Sequence, residues 1–296
     1  MPHAVAEEAE ALLGQALPIH DHGFVRLVDY MGNDAAIVQA ARISYGAGTK
    51  TLRSDRTLIR YLMRHKHTTP FEMVEVKFHI KAPIFVERQW FRHRTASVNS
   101  ISGRYSEMQE EFYLPEPGAV RPQSATNRQG RADEPFPPEQ AEQTIGEMRQ
   151  VYEAAYATYH KHLESGLARE VARITLPTSL YTEWYWKLNL HNCFHFLALR
   201  LDDHAQEEIR AYAEAIARCT RAVAPVAYDA FEEYTLEAGT FSRTELAVLR
   251  KLAQGEPLTP KDLDHGKRWR AEFEARLGLP LPEVTALEPT NGVAVE

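Results

Sequence analysis

Four arginines, Arg88, Arg92, Arg94 and Arg104, fall within seventeen residues, with His93 between two of them. Interleaved are Gln89, Ser97, Asn99, Ser100, Ser102 and Gly103. A guanidinium presents a planar fork of donors that matches phosphate oxygens, and hydroxyls beside a glycine-adjacent backbone add short-range donors. Such a segment can hold a phosphate monoester or a dinucleotide. The plainer reading is a solvated basic turn, because arginine runs are common on surfaces.

Two other groupings could do chemistry. His191 and His195 stand at i, i+4, which puts two imidazoles on one helix face, and Asp202, Asp203 and His204 follow. A metal-dependent hydrolase would use such a set, but residue 192 is Asn, so the HExxH arrangement with its catalytic acid is missing. Arg88, Trp90, Phe91, Arg92 and Arg94 could form a basic-aromatic patch for single-stranded RNA. Against it, Trp90 and Phe91 fit the apolar side of a helix, and the formal net charge of −7 disfavours a nucleic-acid binder.

The elements that must position these groups belong to an ordinary soluble composition, with 44% hydrophobic and 25% charged residues in 296. That length allows one large domain or two small ones. Cys193 and Cys219 cannot build a disulfide framework or a thiolate metal site, and both read as core residues; with HExxH missing as well, no metal is expected. The opening MPHAVAEEAEALL lacks a basic n-region, and no stretch approaches the ~20 apolar residues of a membrane span. The expectation is a cytoplasmic protein with neither nucleic acid nor membrane as partner.

Residues 34–45 read as a helix, and 54–66 as a second with Ser54 as candidate N-cap. In EMVEVKFHI, Val74, Val76, Phe78 and Ile80 alternate with Glu75, Lys77 and His79, which predicts a half-buried strand. Pro83 suits the first turn of a helix that carries Trp90 and Phe91 and runs into Arg92-His93-Arg94. Residues 115–138, rich in Pro, Gly, Gln, Asn and Arg, read as an exposed inserted loop. A long helix is expected over 139–165 with Gly166 as its stop, then an aromatic strand over 179–188. Asn189 is a plausible N-cap for the helix carrying Phe194, Leu197 and Leu201, and a further helix spans about 205–222. Strands and helices without a repeating βαβ beat predict an α+β fold. The division expected is an N-terminal extension over 1–24, a catalytic domain over 25–238, and a C-terminal helical extension and tail over 239–296.

The ordered pattern Arg92-His93-Arg94, Ser97, Asn99, Ser102, Arg104-Tyr105 resembles the RHRxxSxNxxSxRY motif of flavin-dependent thymidylate synthases. The segments LAREVARITLPTSLYTEWYW and FLALRLDDHAQEEIRAYA are similar to further blocks of that family, and the resemblance spans about residues 25–235 apart from the 115–138 loop. It implies a mixed α/β fold with a mainly antiparallel sheet and long helices, assembled as a homotetramer with active sites between subunits. It also implies FAD as cofactor, dUMP as methyl acceptor, methylenetetrahydrofolate as carbon donor and NADPH as reductant. Matched position by position, Gln89, Arg92, Ser100, Ser102, Gly103, Arg104, Arg173 and Arg200 are expected at dUMP, with Arg200 as the residue that activates the uracil. Ser44, Thr69, Arg92, His93, Arg94, Ser100, Asn189, His191 and His195 are expected at the flavin, and His67 near methylene transfer. Ser100 stands where the family often has an acidic residue, His191 where arginine is frequent, and Thr68 where some members carry glutamate.

Overall fold

The computed structural model describes residues 5–43, 55–125 and 129–283. The chain divides into two compact units, Met1–Leu236 and Glu237–Glu296. In the first, α1 (Glu7–Glu10), β1 (Ala16–Ile19) and β2 (Gly23–Met31) lead into α2 (Asp34–Ile43) and α3 (Asp55–Arg64). β3 (Glu75–Pro83), α4 (Ile84–Trp90) and β4 (Ser97–Ser100) follow. Next come α5 (Pro138–Glu164), α6 (Arg169–Ala172), β5 (Tyr181–Asn189) and α7 (Leu190–Arg200). The unit ends with α8 (Glu207–Val223), α9 (Pro225–Phe231) and a π-helical turn, Glu232–Leu236.

The five strands run in the order β1-β2-β3-β5-β4, every pair antiparallel. The α+β expectation and its antiparallel sheet are what the structure contains. Alternation sorts the two sheet faces: Val76, Phe78 and Ile80 of β3 pair with Leu188, Trp186 and Trp184 of β5, all buried. These side chains share one core with residues of α2, α3, α4, α7, α8 and α9. The opposite face is polar and pairs internally, His79 to Glu183 at 2.9 Å, Lys77 to Asp29 at 3.1 Å and Lys187 to Glu75 at 2.8 Å.

Trp90 ties α4 to this core. It is wholly buried, with its ring 5.3 Å from Trp184, 5.2 Å from Trp186 and 4.8 Å from Phe196. Loss of such a ring costs about 3–5 kcal/mol. The buried indole is therefore not part of any surface that could stack on RNA.

Two expectations need correction. The first 24 residues are not a separate extension, because β1 is the edge strand of the sheet and α1 packs in the same unit. Pro83 is the last residue of β3 and the N-cap of α4, not part of its first turn. The described part of the 115–138 segment is largely exposed or half-buried and carries polar pairing: Gln123 bridges Arg131, the Phe136 amide donates to Val120 O at 2.9 Å, and Arg131 reaches Glu207 and Glu208. Its lack of apolar residues conceals this. Ser54 lies outside the described residues. No described helix is long and apolar enough to cross a membrane.

The second unit contains α10 (Arg243–Gln254), α11 (Pro260–Leu263) and α12 (Lys267–Leu277) around Val248, Phe273 and Leu281. Ser242 and Glu245 form a reciprocal capping box at the start of α10.

Candidate active site

β5 runs directly into α7, and the junction is fixed by Asn189, whose side-chain oxygen accepts from the Asn192 amide at 2.9 Å. A cap of this kind contributes about 1 kcal/mol. Here it also sets the rotation of α7, which carries His191, His195 and Arg200. Asn189 thus turns its carbonyl oxygen toward the helix and its amide nitrogen away from that bond.

Opposite α7, α3 closes with Lys66 at φ 56°, a left-handed turn that side chains rarely adopt. The His67 amide donates to Leu62 O at 2.9 Å and the Lys66 amide to Met63 O at 3.0 Å, a Schellman closure that presents His67 beyond the helix. His67, Thr68, His191 and His195 meet around a cleft of about 270 Å³ with an apolar floor that includes Phe71, Phe194 and Phe231. Tyr234 and Thr235 of the π-helical turn complete its wall. An apolar floor rimmed by imidazoles suits a planar heteroaromatic ring, and the volume holds a ring but not a whole dinucleotide. The residues present fit a flavin ring here, and Arg64 and Lys66 add two cations to the lining.

Arg200 ends α7 and its Nε donates to His93 Nε2 at 3.0 Å. An imidazole that accepts at Nε2 carries its proton on Nδ1 and is neutral. Burial, with the charges of Arg200 and His195 nearby, pulls His93 down to about 4, so it stays neutral at physiological pH. Burial also lowers the Arg200 guanidinium, which remains protonated. His93 packs edge-on to His195, ring centres 6.1 Å apart, and so links Arg200 to the histidine cleft. Neither Nη group of Arg200 makes a hydrogen bond among the described residues. Arg92 and Arg94 flank His93 and are exposed.

A second group forms around Gly103. A Cβ at that buried position would lie 3.1 Å from Met108 Sδ and 3.3 Å from Arg173 Cδ, so glycine lets Arg173 approach the backbone. Arg104 is half exposed and lies 3.7 Å from Glu170, a loose pair, with Ser102 Oγ accepting from the Arg104 amide at 3.3 Å. Ser100 donates to Glu87 Oε1 at 3.4 Å. Glu87 was not singled out from sequence; burial raises its carboxyl, with Ser100 and Arg88 opposing. A carboxylate thus stands beside the serine that occupies an often acidic position. No hydrogen bond, ion pair or ring contact among the described residues joins the Gly103–Arg104–Arg173 group to the Arg200–His93 group.

Thr69 begins the 3-10 helix Thr69–Met73 and is exposed, just outside the cleft that Thr68 lines. Ser44 lies outside the described residues. His204 bonds Asp202 at 2.9 Å, and no three His, Cys, Asp or Glu among the described residues are grouped to hold a metal.

Cys193 and Cys219 are both buried, and Cys193 Sγ lies 3.4 Å from Thr220 Oγ1. Burial pushes each thiol up to about 12. A thiol so raised is protonated at neutral pH and is no nucleophile. Replacing both with Ala should leave turnover measurable in the folded protein, with loss confined to stability. Abolished turnover in a folded double variant would reinstate a thiolate mechanism.

A family model described as thymidylate synthase complementing protein matches residues 26–226. The flavin-dependent thymidylate synthase of Thermus thermophilus is 58% identical over 245 residues, 83% of this chain and 87% of its own length. That of Treponema pallidum is 50% identical over 277 residues, 94% of this chain and 90% of its own. The latter match is too long to stop before the second unit, so it runs into that unit. Among solved structures, the UMP/dUMP methylase PolB from Streptomyces cacaoi bound with 5-Br dUMP superposes with a TM-score of 0.67 at 33% identity, covering 74% of this chain and 99% of that chain.

Proposed function

The chain belongs to the family of flavin-dependent thymidylate synthases, and on that premise we propose that it reductively methylates dUMP to dTMP. In this reading FAD is the bound cofactor, methylenetetrahydrofolate the carbon donor and NADPH the reductant. The observation that carries it is the Arg200–His93 bond, which joins a cation suited to a uracil ring to a cleft suited to a flavin.

Bound flavin would supply the reducing equivalents, while this chain supplies binding, orientation and charge. Arg92, Arg104 and Arg173 hold the phosphate, with Ser102 and the Gly103 backbone beside them. Arg200 stabilises negative charge as it develops on the uracil; a guanidinium stays protonated, so it acts as an electrostatic partner and not as a base. His93, neutral and fixed by Arg200, keeps that cation aimed. The exposed Arg92 and Arg94 serve the flavin phosphates, and His67 stands at the open side of the cleft for the folate.

The reading includes a cytoplasmic homotetramer in which the Arg104 and Arg200 groups meet across subunits. An absorbance spectrum tests it: the purified protein is expected to be yellow with oxidised-flavin bands and to form dTMP from dUMP. Colourless protein that takes up no added FAD overturns the proposal, whereas a hydrolase or an RNA binder predicts that outcome.

A further inference from the structure

Arginines recur on α3 at every fourth position, Arg56, Arg60 and Arg64. The first two are answered by acids: Arg56 Nη2 lies 3.4 Å from Asp229 Oδ2, and Arg60 pairs with Glu233. Arg64, in the last turn, makes no side-chain hydrogen bond or ion pair among the described residues, and neither does the Lys66 ammonium. Both residues are exposed, and both line the cleft that His67, His191 and His195 rim. No described aspartate or glutamate lines that cleft, although acidic residues outnumber Lys and Arg in the chain by 41 to 34. The lining is thus a local excess of positive charge in an acidic protein.

A cation in the last turn complements the helix dipole, and Arg64 alone does that. Lys66 needs a further reason. It takes the left-handed position that closes α3, at φ 56°. Glycine is the residue that adopts this conformation freely, and it is the usual choice at such a closure. A lysine there keeps the closure only with backbone strain, and strain of this kind persists where the side chain has a use. The closure also places that use. The Lys66 and His67 amides are tied back to Met63 O and Leu62 O, so Lys66 follows the last turn directly beside His67. His67 is steadied in turn by Tyr61, edge to face with ring centres 6.0 Å apart.

We infer that Arg64 and Lys66 form a carboxylate subsite at the rim of the cleft, which binds the glutamyl tail of the folate and favours folates that carry several glutamates. The inference rests on the proposed function and on His67 standing at the open side for the folate. A cleft of about 270 Å³ takes a ring and leaves a tail outside it. That tail carries the negative charge of the co-substrate, and each added glutamate brings another carboxylate. The partial negative charge at the end of α3 opposes an anion, but two full cations outweigh it. The flavin diphosphate is the other anion of the reaction, and Arg92 and Arg94 are assigned to it.

The test is equilibrium dialysis of the flavin-loaded protein, with dUMP present, against 5-formyltetrahydrofolate bearing one or four glutamyl residues. Wild type is expected to bind the tetraglutamate about five- to twenty-five-fold more tightly at low salt, as two exposed ion pairs worth up to about five-fold each would give. That preference should shrink in ~0.5 M salt. Lys66→Gly and Arg64→Gln are each expected to cut it about five-fold, and Lys66→Arg should keep it. Lys66→Gly should also leave the thermal midpoint unchanged or raised, because glycine suits the left-handed turn. A role confined to the helix end predicts the opposite pair, lower stability with the preference intact, and that result overturns the inference. Equal binding of the two folates by wild type overturns it as well. Variants that keep the preference but bind FAD more weakly would move the two cations to the flavin diphosphate, again overturning it. Wild type that holds flavin and binds neither folate overturns the functional reading together with the inference.

Discussion

Arg200→Ala is expected to lower single-turnover dTMP formation by about 10²–10³-fold, the range seen when one preorganised charge-stabilising donor is removed. Its dUMP affinity should fall less than about ten-fold, because the ground-state uracil is neutral and gains little from the cation. The geometry gives the reason for the split. Arg200 commits Nε to His93 and keeps its two Nη groups, so the guanidinium is locked in rotation and aimed before substrate arrives. Arg200→Lys should recover only part of the loss, since one ammonium cannot bond His93 and present a fork at once. Removing the cation should also let His93 titrate upward from about 4, because Arg200 is one of the charges that depress it after burial itself. Normal turnover by Arg200→Ala at saturating dUMP would end the assignment.

The second large effect belongs to binding. Arg104→Ala should weaken dUMP about ten- to a hundred-fold, as expected for loss of a charge-assisted bond of about 1.5–3 kcal/mol. Turnover at saturating dUMP should change little. Arg104 suits this role because its partner in the free protein is slight: Glu170 stands 3.7 Å away and both side chains are more than half exposed. Exchanging that contact for a phosphate costs little. Titration of dUMP beside deoxyuridine at fixed ionic strength checks the assignment. If the Ala variant loses affinity for both equally, Arg104 does not read the phosphate.

What the sequence made legible follows from how far each signal reaches. β3 and β5 were readable because Val76, Phe78 and Ile80, and the aromatics of SLYTEWYWKL, alternate without interruption. Asn189 was readable as a cap because the cue lies within one turn. β2 was not read, and its register shift between Leu27 and Asp29 explains why: the bulge breaks the period that would have announced it. β4 offers no period at all, since Ser97–Ser100 are all exposed.

The site divides in the same way. The RHR segment could be read from local spacing, but the Arg200–His93 bond spans 107 residues and has no local trace. Glu87 and Gln206, whose side chain accepts from Gln89 Nε2, look like any surface residues. Glu208 carried a signal that passed unused. It stands in register with Tyr212 and Ile216 on the buried side of α8, and a carboxylate set into an apolar stripe must have a partner.

Both thiols lie deep in the fold, raised to about 12 by burial. Peroxide and alkylating reagents attack thiolates, and this chain offers them neither the ionised sulfur nor a path to it. An enzyme that activated uracil through a cysteine would have its nucleophile oxidised along with its surroundings. One that activates uracil with a guanidinium has no catalytic thiol to lose. On the proposed role of Arg200, oxidation that silences thiol catalysis would leave the group that activates the uracil unmodified.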